Sequence, residues 1–186
     1  MNDQRILELI RFGNPLLRQV AARVPVEDIA SDEIQNLIAN IRYTNKTKEY
    51  GIGLAAPQVG ASVALSVIGI KPTPSRPNLE PFESVIINPE YQPAGDEIEL
   101  WEGCQSCGSG NDTLFAKAVR FAAIQARWYD EQAQYHDEKL EGFVAHVFQH
   151  ETDHLNSVLF VDHVKDTTTY MMADEYRQRI VKPSQS

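Results

Sequence analysis

Ile34, Leu37, Ile38 and Ile41 recur at i, i+3, i+4 and i+7, the apolar stripe of one helix. Ser31 stands ahead of it as an N-cap, with Asp32 and Glu33 in the first turn. Lys46 and Lys48 suit the other end, and Gly51 is expected to stop the helix. A second stripe, Phe143, Val144, Val147, Phe148 and Leu155, predicts a helix over residues 142–155. Met172, Tyr176 and Ile180, four apart, predict a helix near the C-terminus. The middle of the chain reads as strand. Residues 63–70 form one run, and 84–88 form a second that Pro89 is expected to end. Residues 119–129 form a third, whose apolar parity switches from Phe121 and Ala123 to Ile124, Ala126 and Trp128, as a bulge would cause. Pro72, Pro74, Pro77 and Pro81 make 71–83 an irregular loop, and three glycines make 103–111 another. Gly13-Asn14-Pro15 is a turn ahead of a short helix carrying Leu16, Leu17 and Val20. Helices bracket a strand-rich middle, which is an α+β order rather than βαβ alternation.

Size and charge narrow the function. A chain of 186 residues buries roughly 70% of its surface on folding, enough for one well-cored domain over 1–186, with about 166–186 as C-terminal helix and tail. The net charge of −9 repels phosphate backbones and anionic lipid, so neither direct nucleic-acid readout nor membrane binding is expected. The first residues lack a basic segment followed by an apolar core, and no apolar run approaches a membrane span, so the expected location is the cytoplasm. The two cysteines, Cys104 and Cys107, are too few to act as a scaffold, and their closeness points to chemistry.

That chemistry centres on His150-Glu151-Thr152-Asp153-His154. Histidines at i and i+4 lie about 40° apart around a helix axis, so both imidazoles can reach one metal ion. Glu151 can flank that ion and take a proton from bound water. Asp153 reads as a supporting carboxylate. A hydrolytic site needs a third protein ligand and one open position. His163, nine residues downstream of His154, is a weak candidate. Cys104, a thiolate donor on a glycine-rich loop, is the better one. A closed Cys104-Cys107-His150-His154 site would leave Glu151 unexplained, and the 42 residues between Cys107 and His150 far exceed a zinc finger's spacing. A non-catalytic zinc module of that kind and a zincin-type endopeptidase are the two competing classes.

Gly51-Ile52-Gly53-Leu54-Ala55-Ala56 matches G-x-G-x-x-A superficially, but it follows a helix and runs into Pro57, so it is no dinucleotide motif. It reads better as extended chain presenting Gln58, a neutral amide suited to a developing oxyanion.

Three ordered segments together resemble the peptide deformylase family. They are Gly51-Ile52-Gly53-Leu54-Ala55-Ala56-Pro57-Gln58-Val59-Gly60, Glu102-Gly103-Cys104-Gln105-Ser106, and Gln149-His150-Glu151-Thr152-Asp153-His154-Leu155. Phe12 to Arg18, Asn88-Pro89 and Leu159 to Asp162 also match, so the likeness runs from about residue 6 to 163. The resemblance implies an α+β fold with the HExxH helix enclosed by antiparallel sheets. It implies hydrolysis of the N-formyl group of formyl-methionine on nascent peptides, with release of formate. It implies one divalent ion on Cys104, His150 and His154, Fe2+ being expected and Zn2+, Ni2+ or Co2+ able to substitute. Glu151 would be general base and then acid, while Gln58 and the backbone N–H of Gln105 would meet the oxyanion. Ile52, Gly53, Leu100, Gly103 and His146 would face the peptide. A transient ribosome contact through the C-terminal helix is implied as well, although residues 165–182 are close to neutral.

The chain departs from the family in places. Cys107-Gly108-Ser109-Gly110 follows the second motif where a small apolar residue and proline are usual. The loop to Lys117 is longer, without the usual substrate-contacting arginine, and Arg120 matches a structural one. Ser157 replaces a glycine after the helix, so Asn156 is expected to take the left-handed position. His146 occupies an apolar position of the family, either buried and satisfied or lining the methionine pocket. Cys107 can trap Cys104 as a disulfide on oxidation.

Overall fold

The computed structural model describes residues 4–48, 51–73 and 77–182. Ser31 Oγ accepts the Ile34 N–H at 3.4 Å and starts α1 (Asp32–Thr47). Ile34, Ile38 and Ile41 are buried against Leu54, Leu65, Val67, Val85 and Ile87, with Leu37 at the edge of that cluster. The helix ends at Thr47 with Lys48 as its extended cap, so Gly51 is not its stop. Gly51 is glycine for another reason: a Cβ there would lie 1.9 Å from the Asn45 carbonyl oxygen.

Two antiparallel sheets follow. One has five strands in the order β1 (Gly53–Ala55), β2 (Leu65–Ile70), β3 (Phe82–Pro93), β6 (Ala123–Tyr129) and β7 (Tyr135–Glu141). The other orders β4 (Glu97–Gly103), β5 (Leu114–Phe121) and β8 (Met171–Met172). Pro89 does not end β3. The register shifts between Ile87 and Glu90, and Asn88 adopts a φ of 52°, so the proline sits in a bulge where no ladder N–H is needed. The Asn88 amide is also tied to Val24, accepting its N–H at 2.9 Å and donating to its carbonyl at 2.8 Å. The parity switch near Phe121 is a corner rather than a bulge: the chain leaves one sheet at Phe121 and enters the other at Ala123.

The hydrophobic pattern gives no signal for β4 or β7. The β7 strand is rich in charge and buries only Leu140, which suits the outer edge of a sheet.

α2 (Gly142–Leu155) packs on β1, β2, β3, β6 and β7 of one sheet and β5 of the other. Ala145, Val147 and Phe148 join Ile68, Ile86, Ile124 and Trp128 in one core cluster. Gln149 ties the helix to the end of β5, its amide bonding both the N–H and the carbonyl of Phe121 at 2.9 Å. At the helix exit the Val158 N–H reaches the Asp153 carbonyl at 3.0 Å. Ser157, not Asn156, takes the left-handed position, with φ 64°. The position one past the cap is the one this closure requires to be left-handed, whichever residue occupies it.

The last helix, α3 (Ala173–Tyr176), runs on into a wide turn over Arg177–Val181. Tyr176 stacks on Phe115 at 4.3 Å. Among the described residues, no helix is long and apolar enough to cross a membrane.

Candidate metal centre

Three segments converge on one point. β4 ends at Gly103, and Cys104 then caps a one-turn 3-10 helix, Gln105–Cys107. Gly103 admits the ring of its cross-strand partner Phe115, which a Cβ would meet at 2.8 Å. α2 supplies His150, Glu151 and His154 on consecutive turns. β1 and the turn Ala56–Val59 after it supply Gly53 and Gln58.

The donor atoms of Cys104, His150 and His154 lie within 4.8 Å of one another. Cys104 Sγ is 3.3 Å from His154 Nε2, which is 3.3 Å from His150 Nε2. A tetrahedral ion with bonds of about 2.3 Å to sulfur and about 2.05 Å to nitrogen separates such donors by about 3.6 and 3.3 Å. The spacing therefore fits one divalent ion. Protonation fits as well. His150 Nδ1 lies 2.5 Å from Glu102 Oε1, and a carboxylate only accepts, so Nδ1 carries a proton and Nε2 is the nitrogen left for an ion. In the ion-free protein Glu102 and Cys104 hold this imidazole's pKa well above its usual value against the effect of burial, so an ion would displace the Nε2 proton. The Cys104 thiol is held well below its ordinary range by a hydrogen bond from Cys107 and by the neighbouring imidazoles, against the effect of burial. Cys107 is buried, its thiol held up by the same bond. His163 lies elsewhere: its Nε2 is 2.9 Å from Asp153 Oδ2, close enough for attraction although poorly aligned for a hydrogen bond.

Glu151 is buried, and its Oε2 has no partner among the described residues. Burial pushes its carboxyl up to about 7 in the ion-free protein. Gln58 is 1% exposed. Its Oε1 accepts the Ala55 N–H at 2.8 Å, which turns Nε2 toward Cys104 Sγ at 3.4 Å and Ser106 Oγ at 3.2 Å. Gln105 opens its turn, where a helical N–H has no intrahelical partner. Its side chain donates to the Gly53 carbonyl at 3.1 Å. Ile52 and Leu100 are half-buried, Ile52 just before β1 and Leu100 on the same face of β4 as Glu102. His146 is buried, with Nε2 2.6 Å from Glu102 Oε2.

A buried ionic layer lies behind the two histidines. Arg120 grips Glu102 through Nε at 2.9 Å and Nη2 at 2.7 Å, and also pairs with Asp153. Glu102 is driven well below the usual carboxylate range despite its burial, chiefly by His150 and Arg120. Sequence reasoning placed Arg120 as structural but missed Glu102 as the residue orienting His150. A signal was available: Arg120 falls in phase with Ala116 and Ala118 on the buried face of β5, where a charge needs an acidic partner.

The polypeptide deformylase family model matches residues 6–170 of this chain. Peptide deformylase 2 of Nostoc sp. is 36% identical over 184 residues, covering 98% of both chains. Peptide deformylase 1 of Prochlorococcus marinus is 38% identical over 174 residues, covering 91% of this chain and 86% of its own. Among solved structures, a class I type b peptide deformylase from Acinetobacter baumannii with Met-Ala-Ser bound superposes with a TM-score of 0.79 at 26% identity, over 87% of this chain and 99% of that one. A peptide deformylase from Synechococcus elongatus in complex with actinonin superposes with a TM-score of 0.68 at 32% identity, over 89% and 85%. On this likeness, which spans nearly the whole chain and all three segments of the site, the protein belongs to the peptide deformylase family.

Proposed function

We propose that the family's reaction, hydrolytic removal of the N-formyl group from formyl-methionine of nascent peptides, takes place in this chain at a single ion held by Cys104, His150 and His154. The mutual approach of those three donors, with Glu151 next to His150 and its Oε2 without a partner among the described residues, carries the reading. Fe2+ is the expected ion, with Zn2+, Ni2+ or Co2+ able to replace it. Such an ion would supply Lewis acidity and a water of lowered pKa at neutral pH. Glu151 takes the water's proton as general base and returns it to the amine that departs as formate is released. Gln58 Nε2 and the Gln105 backbone N–H donate to the oxyanion that develops on the formyl oxygen. β1 is the terminal strand of its sheet, so an extended peptide can lie along it beside Gly53. Ile52, Leu100, Gly103 and His146 border the place where that peptide's first residues lie.

The HExxH helix packs against strands of both sheets, and Glu151 and His154 are buried there. We assign the activity to one domain in the cytoplasm, where nascent chains emerge. Ribosome contact, if made through the C-terminal segment, is transient. Lys165 is paired with Glu97 and Arg179 with Glu175, whereas Arg177 bonds the neutral Asn111 amide and keeps its positive charge.

Formyl-Met peptides incubated with anaerobically prepared, metal-analysed protein are expected to yield one formate each, with internal peptide bonds intact. Internal cleavage without formate would overturn the reading in favour of an endopeptidase. Gly53→Ala is a sharper check on geometry, because its Cβ would lie 2.2 Å from Glu151 Oε1. Displacing that carboxylate by about 1 Å costs on the order of 100-fold in rate, so kcat should fall by that factor while the melting temperature changes little.

A further inference from the structure

His146 precedes His150 by one turn of α2, about 40° away around the axis, and both rings end on one carboxylate. Glu102 Oε1 accepts from Arg120 Nη2 at 2.7 Å and His150 Nδ1 at 2.5 Å. Its Oε2 accepts from Arg120 Nε at 2.9 Å and His146 Nε2 at 2.6 Å. A carboxylate offers about four lone-pair sites, so these four donors saturate it. Because Glu102 only accepts, His146 must carry its proton on Nε2.

We propose that His146 is a positioning residue for the metal centre. Its Nε2–H fills the last acceptor site of Glu102, which holds that carboxylate square to His150 Nδ1–H and so fixes the tilt and tautomer of a ligand ring. The inference rests on the reading of His150 as a ligand. It separates His146 from a residue that only fills space. Phe143 meets the ring edge-on at 5.9 Å, and for packing alone an aliphatic side chain of similar bulk would serve. It would not serve the carboxylate, which would be left with one empty site in a buried setting and freedom to turn toward Arg120.

The test compares wild type, His146→Leu and His146→Gln, each loaded with Co2+. Glutamine places an amide N–H near the position of the imidazole Nε2–H, whereas leucine has no donor. Partners of metal-bound histidines typically tune metal affinity 10- to 100-fold, and His146 acts one contact further out. His146→Leu is therefore expected to bind Co2+ about tenfold more weakly in chelator competition and to shift the visible cobalt bands. It should also lose about tenfold in kcat, and His146→Gln should recover most of each effect. A leucine variant with wild-type Co2+ affinity and spectrum would overturn the proposal, as would a glutamine variant as impaired as leucine. His150→Ala tests the underlying reading separately: undiminished Co2+ affinity there would overturn the ligand assignment and this inference with it.

Discussion

Replacing Glu151 by glutamine is expected to abolish turnover while leaving the fold and metal content intact. The amide keeps the shape of the carboxylate but can neither take a proton nor deliver one, and general acid–base catalysis is worth about 10²–10⁴ in rate. Formate release should therefore fall by roughly 10³ at constant metal stoichiometry. The same substitution has a second signature in the ion-free protein. Burial raises the folded-state pKa of Glu151 from 4.5 to about 7, so the folded chain holds the proton more tightly than the unfolded chain does. Stability from this group is full below 4.5 and is lost as pH rises toward 7. Glutamine has no such loss. Chelator-stripped wild type should thus weaken relative to Glu151→Gln over that interval in urea melts. Turnover above a tenth of wild type would remove Glu151 from the reaction.

Arg120→Met is expected to be the most destabilising of the changes considered. The Arg120 side chain is 1% exposed, and it neutralises both Glu102 and Asp153. Removing one partner of a buried ionic group costs about 3–5 kcal/mol, because the charge left behind is out of water and has lost its guanidinium. For a chain of this size that lowers the melting temperature by roughly 10 °C. Arg18 also pairs with a carboxylate, that of Asp162, but the two side chains are 44% and 38% exposed. Arg18→Met should therefore cost under about 1 kcal/mol. Equal losses in the two variants, by denaturant unfolding of ion-free protein, would contradict this account of the buried layer. Arg120→Met should also weaken metal binding, since Glu102 loses two of its four donors and can turn away from His150.

The helices were the most legible part of the fold. α1 and α2 each carry a full apolar stripe over several turns, and Ser31 marks a start that local chemistry alone decides. The pairing of His150 with His154 was legible for the same reason, because i, i+4 spacing brings two imidazoles together whatever surrounds them. Three errors share one cause. Pro89 as a strand end, a bulge near Phe121 and Gly51 as a helix stop were all local interpretations of features that long-range pairing decides. At Pro89 the partner strand absorbs the missing N–H in a bulge, and at Ala122 the chain changes sheets. Beside Gly51 the constraint is the close approach of the Asn45 backbone. The strands β4 and β7 escaped notice because an edge or half-exposed strand need not alternate apolar and polar residues.

By itself, then, the order of residues determined the helices, the α+β class and the pairing of His150 with His154, because these depend mainly on contacts within a few turns of chain. Only the tertiary structure decided which atoms meet: that Glu102 and Arg120 orient His150, that Gly53 clears space for Glu151, and that His146 shares Glu102 with His150. Those residues lie on different elements, and their spacing is set by how two sheets close over one helix, which no local pattern encodes.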